Sequence, residues 1–131
     1  MLFGDKLRKL REDAGMTQVE LGQLIGVSER VLGYYESNDR FPKKQETLQK
    51  ISEVFHVSID SLIGQEDAFI QSAREQYGYK GAGQAKDVLL GVQAIFAGGE
   101  LPEEDRDEFF RSVVEMYFDS KQKNKKYGRK T

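Results

Sequence analysis

The sequence contains no cysteine and no tryptophan, and it has one histidine and two prolines in 131 residues. Without cysteine there is no disulfide framework, no thiolate nucleophile and no cysteine-based zinc site. A single histidine also leaves few ways to build a metal site or an acid–base pair. The apolar runs are only a few residues long, so no segment is predicted to span a membrane. We therefore expect a cytoplasmic protein that is not an enzyme and that needs no metal and no cofactor.

The charged residues are unevenly distributed, although the net charge is only −2. Residues 1–64 hold nine Lys and Arg against ten Asp and Glu, residues 65–120 hold five against twelve, and residues 121–131 hold six and no acid. The chain thus has a near-neutral first half, an acidic second half and a basic tail. We predict a domain boundary between Gly64 and Gln65, where a glycine ends a helix, and a disordered tail after residue 120.

The first half has the periodicity and the caps of five short helices. Thr17 and Glu20 have the spacing of a capping box at the start of the second helix, which Gly26 ends. Ser28 can cap the third helix only two residues later. So short a joint favours the near-perpendicular crossing of a helix-turn-helix over an antiparallel pair, although a generic helical bundle would share some of these caps.

Residues 3–64 resemble the phage-repressor type of helix-turn-helix domain, the Cro/repressor or Xre family. The resemblance runs through FGDKLRKLREDAGMTQVELGQLIGVSERVLGYYESNDRFP and continues through LQKISEVFHVSIDSLIG. It implies a partner, double-stranded DNA, and a five-helix, lambda-repressor-like DNA-binding domain. With a helical second half, the whole chain is expected to be all-α.

The resemblance also implies which residues of the third helix contact base edges in the major groove: Glu29, Arg30 and Tyr34. Arg30 suits guanine, to which arginine donates two hydrogen bonds. Glu29 can only accept, so it suits a cytosine amino group or orients Arg30. Tyr34 could press on a thymine methyl group or bind a phosphate. The alternative for these residues is an ordinary solvated helix face.

Five residues are predicted to contact the DNA backbone: Gln18, Ser28, Arg40, Lys43 and Lys44. In the family a glutamine that opens the second helix touches phosphate and steadies the recognition helix, and Gln18 holds that place. Arg40, Lys43 and Lys44 lie in and after the loop with which the family grips the backbone, and Ser28 could instead act as a cap alone. Phosphate contacts position the protein but carry no sequence information.

Three further positions complete the comparison with the family. Arg11 and Glu36 match a pair that forms a salt bridge between the first and third helices, so we expect a scaffold role for them. Gly33 departs from the family, in which a larger polar residue is usual, and it leaves one base-contacting position empty. This departure bears on the target sequence and not on the mode of binding.

The second half is predicted to form three helices and to drive dimerisation. The first of these helices is expected to end at Gly78, and Gly78, Gly81 and Gly83 are expected to form a connector, with Tyr77 and Tyr79 as packing residues. Nine of the fourteen aromatic residues lie after residue 64, in a segment too short to cover so much apolar surface alone. A second copy of the chain would cover it, and packing against the first domain is the alternative. We expect the dimer interface over residues 65–120 to centre on Phe109, Phe110, Val113, Tyr117 and Phe118.

The second half also resembles, less specifically, the C-terminal part of repressors from prophages and integrative elements of Gram-positive bacteria. Some of those repressors are relieved by a partner protein, so an antirepressor or inducer is a further candidate partner. We expect a sequence-specific, dimeric transcriptional regulator, a repressor, acting on a near-palindromic operator. Its rival is an antitoxin-like or adaptor module whose acidic, aromatic half binds a protein, with DNA binding secondary.

Overall fold

A computed structural model describes residues 1–99 and 101–127, and within them every regular element is helical. The all-α prediction is confirmed. The helices are α1 (Phe3–Asp13), α2 (Gln18–Ile25), α3 (Glu29–Glu36), α4 (Gln45–Phe55), α5 (Ile59–Leu62), α6 (Gln65–Phe96) and α7 (Glu103–Tyr127). The chain forms two compact units, which divide after Ala68. Among the described residues, no helix has the length and the apolar composition needed to cross a lipid bilayer.

The predicted caps at the starts of α2 and α3, and the predicted end of α2, are confirmed. The Thr17 hydroxyl accepts from the backbone N–H of Glu20 at 3.1 Å, and the Glu20 carboxylate accepts from the backbone N–H of Thr17 at 3.0 Å. Gly26 ends α2 in the left-handed conformation, with φ of +79°. The Ser28 hydroxyl accepts from the backbone N–H of Val31 at 3.1 Å. These local bonds fix where α2 ends and where α3 begins.

A glycine inside α2 permits the sharp turn into α3. The backbone N–H groups of Gly26 and Val27 both donate to the carbonyl of Gly22, at 2.8 and 2.9 Å. A Cβ atom at Gly22 would lie 2.6 Å from the Val27 carbonyl oxygen, a distance that only glycine avoids. The turn therefore folds directly over α2, as the short spacing predicts.

The core of the first unit draws a side chain from each of its helices. The fully buried residues are Phe3, Leu7, Leu21, Ile25, Leu32, Ile51 and Leu62. Burying each of them stabilises the unit by about 1.5–3 kcal/mol relative to leaving it in water. Leu32 and the buried Tyr35 hold the inner side of α3 on this core, and the opposite side of α3 lies at the surface.

A buried carboxylate joins the first and last elements of this unit. Asp67 is 4% exposed, and it accepts from the backbone N–H of Phe3 at 2.7 Å and of Gly64 at 3.0 Å. Burial raises the pKa of Asp67, and the two backbone hydrogen bonds partly offset that effect. The sequence gives no sign of this contact, because the partners Phe3 and Asp67 lie 64 positions apart.

Replacing this carboxylate should destabilise the first unit. In Asp67→Ala the two backbone donors lose their partner, so we expect the free energy of unfolding to fall by about 1–3 kcal/mol. Urea denaturation measures the change. Asp87→Ala is the control, because Asp87 lies exposed on α6 and such surface changes stay within about 0.5 kcal/mol. Equal midpoints for the two variants would contradict the assigned role.

The second unit contains a helix break at a predicted position and a helix where a connector was expected. Gly78 interrupts α6 with φ of +73° and ψ of −161°, which confirms the predicted end. Gly81 and Gly83 are helical, however, so the connector predicted there is wrong. The reason is packing: the Tyr117 hydroxyl donates to the Gly81 carbonyl at 2.9 Å, and a Cβ at Gly81 would lie 3.0 Å from the Ala73 carbonyl oxygen.

The part of α6 after Gly78 and helix α7 pack as an antiparallel pair. The rings of Phe96 and Phe109 lie 5.8 Å apart at one end, and the Tyr117 hydroxyl donates to the Gly81 carbonyl at 2.9 Å towards the other end. Tyr79, expected to be a packing residue, is instead 76% exposed.

Two of the five residues predicted for the dimer interface are already covered by their own chain. Phe110 is 6% and Tyr117 is 9% exposed. The Phe69 ring lies 6.1, 5.2 and 5.9 Å from the rings of Phe110, Tyr117 and Phe118. The expectation that a second copy is needed to cover Phe110 and Tyr117 is therefore corrected, because the first part of α6 folds over them. Phe109, Val113 and Phe118 are half-buried.

The predicted disordered tail is helical over its first residues. Helix α7 continues to Tyr127. Within it Lys123 pairs with Asp119 at 3.1 Å, and the Gln122 amide donates to the Tyr77 hydroxyl at 3.3 Å. These contacts extend the helix past residue 120, whereas the prediction considered only composition. Residues 128–131 lie outside the described residues.

Candidate nucleic-acid interface

The polar side of α3 lies on the surface of the first unit. Ser28, Glu29 and Arg30 are exposed, and Tyr34, one turn later, is half-buried. The inner side carries the buried Leu32. The three residues predicted to contact bases thus occupy the outer surface and the start of one helix.

Arg30, Tyr34 and Arg40 form a compact group that we call the arginine–tyrosine cluster. The Arg30 Nε donates to the Tyr34 hydroxyl at 3.1 Å, and this bond raises the pKa of Arg30. The Arg40 guanidinium carbon lies 4.3 Å from the centre of the Tyr34 ring, within the range of a cation–π contact. One tyrosine therefore contacts a charged residue of α3 and a charged residue of the following loop.

Beneath α3, the predicted salt bridge between Arg11 and Glu36 is present and buried. The Arg11 Nε and Nη2 donate to the two carboxylate oxygens at 2.7 and 3.0 Å. The side chains are 12% and 4% exposed. The Arg11 Nη1 also donates to the Met16 carbonyl at 2.8 Å, and the bond to Glu36 raises the pKa of Arg11. The pair joins α1 to α3, which is the scaffold role that the resemblance implies.

Gln18 contacts this salt bridge, in keeping with the steadying of the third helix that the resemblance implies. Its amide Nε2 donates to the Glu36 carboxylate at 3.1 Å. The side chain thereby ties the start of α2 to the end of α3. Its predicted contact with a phosphate stays a prediction.

The basic residues predicted to grip the backbone lie on a loop that contacts α1 at two points. Phe41 packs on Phe3 with ring centres 5.1 Å apart, and Asn38, at φ of +64°, accepts from the backbone N–H of Gly4 at 2.8 Å. Because the loop is held on α1, its position relative to α3 is fixed. The exposed side chains it presents, together with the start of α4, are Arg40, Lys43 and Lys44.

Two other residues singled out by sequence occupy unremarkable places. A Cβ at Gly33 would meet nothing within 4 Å, so the empty position on α3 is not imposed by packing. His56 is an exposed C-cap of α4 with φ of +55°. Among the described residues, no three His, Asp or Glu side chains are grouped to hold a metal ion.

Breaking the buried salt bridge on one side should destabilise the unit strongly. In Glu36→Gln the Arg11 charge stays buried without its counter-charge, so the free energy of unfolding should fall by about 3–5 kcal/mol. Urea denaturation measures it. Glu12→Gln is the matched control, because Glu12 pairs with Arg8 at 3.5 Å on the exposed face of α1 and such pairs contribute about 0–1 kcal/mol. Equal losses in both variants would contradict a structural role for Glu36.

Part of the chain is similar in sequence to known proteins. The helix-turn-helix family matches residues 7–62. The HTH-type transcriptional regulator ImmR of Bacillus subtilis (strain 168) is 34% identical over 67 residues, which cover 51% of this chain and 52% of ImmR. The HTH-type transcriptional activator BcrR of Enterococcus faecalis is 36% identical over 67 residues, 51% of this chain and 32% of BcrR.

A third relative aligns along nearly the whole chain. The immunity repressor protein of Bacillus phage phi105 is 21% identical over 138 residues, which cover 97% of this chain and 92% of that protein. The matched segment spans about half of ImmR and a third of BcrR. No solved structure gives a significant match.

Proposed function

We propose that this chain is a regulator of the phage-repressor helix-turn-helix type, on the basis of the match over residues 7–62 and the similarity to named regulators, and that it is a sequence-specific, dimeric repressor of transcription in the bacterial cytoplasm. The proposal rests chiefly on one observation. The outer side of α3 presents Arg30 and Tyr34 to solvent beside a loop of basic side chains. A major groove accepts a helix presented in this way. This arrangement favours a DNA-binding regulator over an enzyme.

Base and backbone contacts would come from different segments. Arg30 would donate to the guanine O6 and N7 atoms, and Glu29 would face a neighbouring cytosine amino group. Arg40, Lys43 and Lys44 would neutralise phosphates on either side, with Gln18 and Ser28 near the backbone at the starts of α2 and α3.

The share of the chain that each relative matches favours repression over activation. The two relatives that match over about half of the chain are named a regulator and an activator, whereas the phage immunity repressor matches along 97% of it. A repressor needs only to occupy its operator, which the described fold is suited to do.

Dimerisation is supported by a groove in the second unit. The groove, of about 410 Å³, is lined by Gln84, Val88, Val113, Met116, Tyr117, Ser120 and Lys121. Phe109, Val113 and Met116 follow one another at intervals of four and three residues, so they form one stripe along α7. Met116 is 62% exposed. We propose that the same stripe of a second copy packs there, so that the interface keeps Phe109 and Val113, adds Met116 and leaves out the buried Phe110.

A second candidate function is an adaptor or antitoxin-like module whose second unit binds another protein. Leu90, on a different side of α6 from Val88, is 65% exposed, and an exposed apolar side chain of this size suits a protein partner such as an antirepressor. In that case the groove and Leu90 would serve the partner, and DNA selection would be secondary.

Selective DNA binding should depend on Arg30. Selection from random duplex DNA yields the operator, and titration of the protein against the operator and against a scrambled duplex gives two affinities. In Arg30→Ala the operator preference should fall by about 1–3 kcal/mol, because the contact to one guanine is lost. Binding to the scrambled duplex should remain and should weaken with salt.

Lys43→Ala is the matched comparison for that experiment. Removing a phosphate contact should weaken binding to both duplexes about equally. It should also lower the slope of log affinity against log salt concentration by about 1. An Arg30→Ala protein that retains full operator preference would contradict the proposed function and favour the adaptor.

The groove in the second unit should mediate dimerisation. In Met116→Glu a charge replaces an apolar contact between two copies, so sedimentation at tens of micromolar should detect monomer where the parent chain is a dimer. Leu90→Glu is the control, since Leu90 is equally exposed but lies off the stripe. A dimer that withstands Met116→Glu and dissociates with Leu90→Glu would place the interface elsewhere.

A further inference from the structure

Tyr34 lies between two arginines that the proposed function assigns to different tasks. Arg30, one turn earlier on α3, faces the bases, and Arg40, in the next loop, faces a phosphate. The tyrosine hydroxyl accepts from the Arg30 Nε at 3.1 Å, and the ring lies beneath the Arg40 guanidinium at 4.3 Å. We propose that Tyr34 is a positioning residue that sets both arginines for DNA, and not a residue that itself contacts a base. This inference rests on the proposed function.

The hydrogen bond decides which edge of Arg30 can face a base. An arginine side chain has five N–H donors in a planar fork. With Nε engaged by the Tyr34 hydroxyl, the two terminal nitrogens remain to donate to guanine O6 and N7. Holding the guanidinium in the free protein also reduces the rotamer freedom that would otherwise be lost on binding.

The backbone of Tyr34 holds Arg40 as well. The Tyr34 carbonyl accepts from the backbone N–H groups of Asp39 and Arg40 at 3.0 and 3.2 Å, and from the Ser37 hydroxyl at 3.1 Å. Arg40 is therefore fixed by its main chain through the Tyr34 carbonyl and by its guanidinium over the Tyr34 ring. Arg40 in the loop and Arg30 on α3 are therefore both held by Tyr34.

The same contacts disfavour the direct roles that the sequence suggested for Tyr34. A thymine methyl group would need the face of the ring, and Arg40 lies over one face. A phosphate would need the hydroxyl, whose acceptor side is taken by Arg30 while its proton stays available. A direct phosphate contact is thus the competing role that an experiment must separate.

Two substitutions at Tyr34 separate its two contacts. Tyr34→Phe keeps a ring for Arg40 and removes the acceptor of Arg30. We expect it to lower operator preference about three- to tenfold, with binding to the scrambled duplex and its salt slope unchanged. Tyr34→Leu removes both contacts, so it should also weaken binding to the scrambled duplex and reduce the salt slope by about 1. Tyr79→Phe, an exposed hydroxyl of the second unit, is the control.

A double substitution distinguishes positioning from direct contact. If Tyr34 acts through Arg30, Tyr34→Phe should have no further effect on operator preference in an Arg30→Ala background. If the hydroxyl binds a phosphate directly, Tyr34→Phe should weaken binding to the operator and to the scrambled duplex alike. It should do so both in the parent protein and in Arg30→Ala. That second result would overturn the inference while leaving the proposed function intact.

A measurement without DNA tests the same contact independently. In the free protein, the Nε–H resonance of Arg30 should shift and exchange faster with solvent in Tyr34→Phe, because it loses its acceptor. Urea denaturation of each variant checks that the unit remains folded. An Arg30 resonance that is indifferent to Tyr34→Phe would overturn the inference whatever the DNA affinities are. Failure of Arg30→Ala to alter operator preference would instead overturn the proposed function.

Discussion

The buried salt bridge between Arg11 and Glu36 is the interaction on which the geometry of the candidate interface depends. Apolar contacts hold α3 on the core, but they are not directional and tolerate rotation of a helix about its axis. Arg11 donates a bidentate pair of hydrogen bonds to the Glu36 carboxylate, and Gln18 donates a third. Together these three bonds fix the orientation of the carboxylate. Because successive helical residues turn by about 100°, fixing Glu36 inward places Arg30 roughly 120° away, towards solvent. Burying the pair costs desolvation, and it supplies orientation in return.

Sequence reasoning succeeded where the determining contacts are local. The bonds of Thr17 and Ser28 reach three residues along the chain, so the spacing of residue types is enough to predict them. Contacts between distant segments were missed where the resemblance does not imply them, as with Asp67 and Phe3, whereas the pair of Arg11 and Glu36 was expected through the resemblance alone. Gly81 shows a third case, in which propensity argues for a connector but close helix packing requires a small residue inside a helix.

The sequence predicted which residues belong to the candidate site, but it did not predict which of them contact one another. The resemblance pointed to Arg30, Tyr34 and Arg40 separately, because family patterns assign one role to each position. That Arg30 and Arg40 meet on one tyrosine depends on the path of the chain after α3, where Phe41 and Asn38 anchor the loop to α1. The Tyr34 ring offers its negative face to the Arg40 guanidinium, which stabilises that cation beside α3. The first unit, Met1–Ala68, holds nine Lys and Arg against twelve Asp and Glu, so in the proposed function its attraction to DNA must come from such local concentration of positive charge.

The small number of base-contacting groups on α3 explains why the second unit matters to the proposed function. In the proposed function Gly33 contributes no side chain, so Arg30 would be the strongest source of discrimination that one copy offers, worth about 1–3 kcal/mol for a guanine. A single contact of that size is far below the 4–10 kcal/mol that separates typical specific from non-specific binding. Two copies on a near-palindromic site read two half-sites, about 34–36 Å apart or a multiple of that. Their linkage makes the second contact intramolecular and raises avidity by about 10²–10⁴. In the proposed function α3 makes few base contacts. It therefore depends on a second copy more than a helix with several base contacts would.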